Sequence, residues 1–253
     1  FRPFYTAVTL GALAGRESAE RIDPVRQSPM HDWHKQAGAV FMPSGLWFRP
    51  KYYPRQGEAM MDAVQREARA VRNNVGLVDV STLGKIDVQG PDAAEFLNRV
   101  YINQWKTLKV GRARYGLMLR EDGIVFDDGT TARLGENHFH LTTTTSNAGR
   151  IMDHLEFHLQ QVWPELEVYL TSVTDQWAAM ALSGPNSREV LAQAFPDLDV
   201  GNEALPFMGF VEAELDGIPA RIFRISFSGE RAYEINVPAD YGLQAWQALM
   251  AAG

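Results

Sequence analysis

The feature that most constrains the fold is a segment that occurs twice. Val88-Gln-Gly-Pro-Asp-Ala-Ala-Glu-Phe-Leu97 is echoed by Leu182-Ser-Gly-Pro-Asn-Ser-Arg-Glu-Val-Leu191. Each copy leaves an apolar strand, turns through Gly-Pro, offers a side chain able to cap, and enters an amphipathic helix. Glycine permits the sharp turn, and proline near a helix start loses no needed donor. Strand–turn–helix is common, but Gly-Pro-Asp/Asn with Glu and Leu at equal offsets favours a true repeat. Two such units predict an α+β fold of two related mixed sheet-and-helix halves, about 77–160 and 165–253.

Periodicity fills in the halves. A helix is expected over 58–72, with Met61, Val64, Ala68 and Val71 as its apolar stripe. Strands are expected at 77–81, 85–88, 124–126, 130–133, 138–142, 167–170, 177–182 and 233–237. Helices are expected over 147–160 and from Pro238 onward. Asp216-Gly217, between strands at 211–215 and 221–226, is a hairpin signal. Residues 1–57 differ: prolines punctuate them (Pro3, Pro24, Pro29, Pro43, Pro50, Pro54) and aromatics are dense (Trp33, Trp47, Phe48, Tyr52, Tyr53). They read as an extended connecting arm, its rings packed either on a partner or on this chain's own core.

Composition excludes several classes. The chain has 253 residues and no cysteine, which removes disulfides, cysteine-ligated metal and a thiol nucleophile. A net charge of −7 argues against a phosphate-tracking nucleic-acid surface. No apolar run approaches the roughly 20 residues of a membrane span, and no Rossmann or phosphate-loop glycine motif occurs. A cytoplasmic setting is expected. The histidine pairs His31/His34, His138/His140 and His154/His158 each lack a convincing third ligand, so no metal is expected.

Two acidic segments stand out. In Gly123-Ile-Val-Phe-Asp-Asp-Gly129, adjacent carboxylates on a strand point to opposite faces, so Asp127 or Asp128 can enter a pocket and handle protons; the bland reading is an Asp-Gly turn. In Phe227-Ser-Gly-Glu-Arg-Ala-Tyr-Glu-Ile235, Glu230 is presented at a turn. A carboxylate there suits a cyclic amidine-like ring edge, where it accepts two parallel N–H bonds; pterins present that edge.

Together these segments resemble the aminomethyltransferase family, whose type member is the glycine-cleavage T-protein. The residues that carry the resemblance are Val78-Asp-Val-Ser81, Gly90-Pro91, Tyr115 in Arg114-Tyr-Gly-Leu-Met118, Gly123 to Asp128, and Phe227-Ser-Gly-Glu230. Ile124 stands where the family's second glycine usually lies, and Phe227 where it usually has tyrosine. Further segments, Ser28-Pro-Met-His-Asp-Trp-His34, Gly45-Leu-Trp47, Tyr52-Tyr-Pro54 and Ser81-Thr-Leu-Gly-Lys85, are similar to the alpha subunits of heterotetrameric sarcosine oxidases. The resemblance covers about residues 58–253 as an aminomethyltransferase-like folate-binding domain, without the family's carboxy-terminal barrel.

The resemblance implies tetrahydrofolate as cofactor, with flavin and NAD held elsewhere in a complex that includes beta, gamma and delta subunits. It implies oxidative demethylation of sarcosine to glycine, with one-carbon transfer giving methylenetetrahydrofolate and hydrogen peroxide. Asp127 would sit by the reactive folate nitrogens, with Asp128 as the other member of the pair. Glu230 would hold the pterin edge, with Tyr115 and Phe227 near the ring. A stand-alone aminomethyltransferase and a non-catalytic folate-binding module are the alternatives.

Overall fold

The computed structural model describes residues 26–253. The repeat seen in the sequence is present in the backbone. Strand β5 (Gly84–Gln89), helix α3 (Ala93–Val100), strands β6 (Ala113–Leu119), β7 (Val125–Gly135) and β8 (His138–Thr143), and helix α4 (Ala148–Phe157) form one half. Strand β10 (Trp177–Ser183), helix α5 (Ser187–Ala194), strands β11 (Phe210–Leu215), β12 (Ile218–Phe223) and β13 (Ala232–Pro238), and helix α6 (Gly242–Ala252) repeat that order.

Each half also holds a strand of the other. Strand β4 (Gly76–Asp79), just before β5 in sequence, pairs with β10; strand β9 (Tyr169–Ser172), just before β10, pairs with β5. The sheets therefore run β11-β12-β13-β10-β4 and β6-β7-β8-β5-β9. The crossings match bond for bond. Val80 N–H donates to Ala179 O at 2.9 Å, and Val173 N–H to Lys85 O at 2.9 Å. Ala179 N–H donates to Ser81 Oγ at 2.9 Å, and Lys85 N–H to Thr174 Oγ1 at 3.0 Å.

The Gly-Pro turns show why both copies need glycine. Gly90 and Gly184 sit at φ +128° and +131°. A Cβ on Gly90 would lie 2.2 Å from Glu167 O, and one on Gly184 2.3 Å from Asn74 O.

Alternation in the strands divides each sheet into an apolar outer face and a polar inner one. Met180, Leu182, Ile222, Ile235 and Val237 pack under α5 and α6 in one core. Ile86, Val88, Met118, Phe139 and Leu141 pack under α3 and α4 in the other. The inner faces approach each other where Phe223 meets Ala113 and Ala132 and stacks on His140 at 6.3 Å. The order of layers is helix, sheet, sheet, helix.

Three sequence expectations change. The strands expected at 124–126 and 130–133 are one continuous strand, β7, so Asp127-Asp128-Gly129 is not a turn; pairing with β6 carries the strand through it. Helix α2 (Met60–Asn73) forms where expected, but Met61 and Ala68 are exposed and Ala63 is its buried residue. It is held laterally by Arg66, which donates to Glu58 and to Tyr53 O at 2.8 Å. The described part of the arm is partly regular, with helix α1 (His31–Gln36) and a three-stranded sheet of β1 (Arg26–Gln27), β3 (Trp47–Tyr52) and β2 (Val40–Ser44). It packs on the chain's own core: Met30 is fully buried there, and Trp33 meets Trp246 at 5.2 Å. Residues 1–25, with Pro3 and Pro24, lie outside the described residues.

Candidate functional site

Because β7 is unbroken, Asp127 and Asp128 point to opposite faces. Asp127 faces the helix layer and is buried. It accepts Thr144 N–H and the Asn147 amide, each at 3.1 Å, and so ties β7 to the entry of α4. Asp128 faces the inner side and is exposed. Tyr115, opposite Thr130 in β6, shares that face and donates its hydroxyl to Asp128 at 2.9 Å. The Asp128 carboxylate holds the Tyr115 phenol above its ordinary pKa. Of the five residues singled out in the sequence, the structure joins these two directly.

The same inner face continues across the sheet. Thr130 and Thr142 hydroxyls meet at 3.0 Å, and Lys85 lies opposite Thr142. Asp87 accepts from His140 at 2.6 Å and His138 at 3.0 Å. Burial opposes its charged form, but these two donors outweigh that and hold its carboxyl below the ordinary value. His138 and His140 thus serve as donors to one carboxylate. Similarly His158 Nδ1 donates to His154 O at 2.8 Å.

Glu230 and Phe227 occupy the loop between β12 and β13. The Glu230 carboxylate pairs with Arg72 of α2 at 2.8 Å, and Phe227 is fully exposed. Neither is bonded to Asp127, Asp128 or Tyr115.

A second carboxylate stands outside the residues that the sequence motifs single out. Glu234 lies in β13, between β10 and β12, on the inner face and only 9 % exposed. Asn236, two positions along, donates its amide to Glu234 at 3.2 Å. Among the described residues, its own Oδ1 and the Nη1 of Arg221 directly opposite are buried without partners. Arg221 stacks over Trp177 at 4.5 Å. The signal was available: Tyr233, Glu234, Ile235, Asn236 and Val237 alternate apolar and polar, which reads as a strand with one wet face. Only the facing sheet makes that face interior.

A buried network anchors the arm. Asp79 accepts from Ser28 Oγ at 2.5 Å, His34 Nε2 at 3.1 Å and Ser81 N–H at 2.9 Å, while Tyr53 donates to His34 Nδ1 at 2.7 Å. Burial opposes the Asp79 charge, but the donors prevail and lower its pKa. A cavity of about 380 Å³ beside it, between Trp33, Leu182 and Trp246, opens on the outer side of the sheet. Its walls are mainly apolar, and it is remote in the layer order from the inner-face carboxylates.

The family model described as the GCVT N-terminal domain matches residues 30–253. The chain is 55 % identical to the sarcosine oxidase subunit alpha of Rhizobium meliloti over all of its own length and 26 % of that protein's. It is 34 % identical to an aminomethyltransferase of Corynebacterium aurimucosum, over 89 % of this chain and 58 % of that one. The chain thus spans about a quarter of the sarcosine oxidase relatives it matches. Its fold superposes on the crystal structure of glycine cleavage system aminomethyltransferase T from Bartonella henselae with a TM-score of 0.75, at 31 % identity, covering 89 % of this chain and 57 % of that one. Among the described residues no helix is long and apolar enough to cross a membrane. With the family model matching from the anchored arm to the end of α6, and the paired halves superposing on an aminomethyltransferase, the chain belongs to the GCVT N-terminal domain family.

Proposed function

We propose that this chain binds a reduced folate against the inner face between its two sheets, as the folate-binding part of a sarcosine oxidase alpha subunit. The observation that carries the reading is the pairing of Tyr115 with Asp128 on the inner face of one sheet, with the buried carboxylate of Glu234 on the inner face of the other. The 54–55 % identity to sarcosine oxidase alpha subunits, against 34 % or less to the aminomethyltransferases, favours that setting over a stand-alone aminomethyltransferase.

The residues present suit a pterin. Glu234 offers a carboxylate edge to an amidine-like N–H pair, each charge-assisted bond contributing about 1.5–3 kcal/mol. Glu230, already paired with Arg72, is the outer candidate for the same task. Asp128, fixed by the Tyr115 hydroxyl, is the accessible member of the Asp pair and the one suited to take or return a proton at a bound nitrogen. Asp127 braces the fold. Phe227, fully exposed on the β12–β13 loop, is the aromatic face on offer to the ring at the rim.

Tetrahydrofolate, when bound, supplies the nucleophilic nitrogens that capture a one-carbon unit. In a sarcosine oxidase that unit would arrive as the imine left when flavin oxidises sarcosine, with glycine and methylenetetrahydrofolate as products and the reduced flavin passing its electrons to oxygen to give hydrogen peroxide. Flavin and NAD would be held outside this chain, with beta, gamma and delta subunits as partners, in the cytoplasm.

Calorimetric titration of tetrahydrofolate into the intact protein tests the reading. Saturable binding is expected, weakened about 10- to 100-fold by Glu234→Gln, the equivalent of roughly 1.4–2.7 kcal/mol. Asp128→Asn should preserve binding and slow transfer, whereas Asp127→Ala should lower stability and spare transfer in the folded fraction. Absence of binding to the intact protein would refute the folate site. Strong weakening by Glu230→Gln alone would move the pterin edge to the β12–β13 loop.

A further inference from the structure

Lys85 belongs to the Ser81-Thr-Leu-Gly-Lys85 segment and takes no part in the folate contacts proposed. It is fully buried. Lysine is almost never fully buried without a counter-charge. Yet Nζ makes no direct ion pair among the described residues. It donates instead to Ser81 O at 2.8 Å and Leu83 O at 3.1 Å. Both carbonyls lie on the crossing that carries the chain from β4 in one sheet to β5 in the other.

Three carboxylates act on the ammonium: Glu234 on β13 most strongly, then Asp79 on β4 and Asp175 just before β10. Two of these have their own partners. Asp79 takes His34, Ser28 and Ser81, and Asp175 pairs with Arg26. Asp87, two positions along β5 on the same face, is bound by His138 and His140. Glu234 accepts only the Asn236 amide, and among the described residues no cation stands within salt-bridge distance of it. An isolated buried charge of either sign is costly. A buried cation and a buried anion thus lie on the inner faces of opposite sheets with no direct ion pair between them, and the carboxylate acts on the ammonium through its field while its edge stays unoccupied.

We propose that Lys85 is a positioning residue of the folate site: its ammonium is the counter-charge that allows Glu234 to stay buried with a free edge for an amidine-bearing ring. The inference rests on the folate reading. A direct salt bridge would block that edge, and no cation at all would leave the carboxylate uncompensated. Burial outweighs the carboxylates and draws the Lys85 ammonium down to about 8, so its charge is lost over an accessible pH range.

Two measurements on the intact protein separate this inference from the reading beneath it. The first is a urea-unfolding cycle at pH 7 with Lys85→Met, Glu234→Gln and the double variant. Glu234→Gln is expected to lower the folded-to-unfolded ratio at least fivefold more in the wild type than in the Lys85→Met background. Equal effects in both backgrounds would overturn the charge coupling, whatever folate does. The second is calorimetric titration with tetrahydrofolate from pH 7 to 9.5. Wild-type affinity should fall about tenfold across that range. Lys85→Met should bind about tenfold more weakly at pH 7 and show no such fall. Lys85→Arg should restore binding and hold it to pH 9.5, which guards against misfolding of the methionine variant. Lys85→Met binding with wild-type affinity and pH profile would overturn the inference while leaving the folate reading intact. A coupled cycle in a wild type that binds no folate would overturn both.

Discussion

A buried lysine makes stability and pH a linked pair at the scale of one residue. Lys85 has a folded value of about 8, below the ordinary 10.5. Between those values the unfolded chain holds the proton and the folded one has released it, so the unfolded state binds more protons and stability rises with pH. Below pH 8 both states are protonated, and the cost of burying the charge is fully present. Relative to Lys85→Met, the wild type should gain on the order of 1–3 kcal/mol from pH 7.5 to 10. Thermal unfolding of the two proteins across that range measures it, and a constant difference would mean that Lys85 titrates as an exposed lysine. The direction is useful because it opposes the one expected for folate affinity, which falls over the same interval. A structural defect would move both together.

Elements carry the repeat, and the two Gly-Pro turns are its narrowest points. Gly90 and Gly184 combine a positive φ with a carbonyl oxygen where a Cβ would stand. Alanine at either should cost about 1–3 kcal/mol or more, since strain at φ and the steric conflict add. Denaturant midpoints of Gly90→Ala and Gly184→Ala should drop by similar amounts, because the turns are equivalent; a tolerated alanine at one would deny that equivalence. These turns were legible in the sequence, as were β5, β10 and the Asp216-Gly217 hairpin, because glycine placement and alternation report local geometry. The inner site was only half legible. Tyr115 and Asp128 could be singled out, but their bond depends on β6 and β7 pairing in one register. Glu234 and Lys85 were passed over because a charge alternating with apolar residues looks the same whether water or a second sheet covers it. Glu230 drew attention as the carboxylate at a turn, yet Arg72, 158 positions away in sequence, already engages it.

For the whole molecule, the exchange of β4 and β9 decides how it comes apart. Neither half contains its own complete sheet: β10 needs β4, which precedes β5 in the chain, and β5 needs β9 from the segment that leads into the second half. The segments 77–160 and 165–253, each expressed alone, should therefore lack a cooperative thermal transition, while the intact chain should unfold in one step. Calorimetry on the three proteins tests this, and an independently folding half would show that the exchanged strand is dispensable. The arm belongs to the same unit, since Ser28 and His34 reach Asp79 on β4 itself.

Two hands that each hold the other's wrist stay joined without any third fastening, and the covalent path between the halves is to that extent redundant. A break in the backbone anywhere from the end of α4 to the start of β9 would leave two chains still threaded through each other's sheets. A molecule built this way has, in every second copy of itself, a supply of strands of the right sequence and register. Proximity favours the strand already on the same chain, which arrives first.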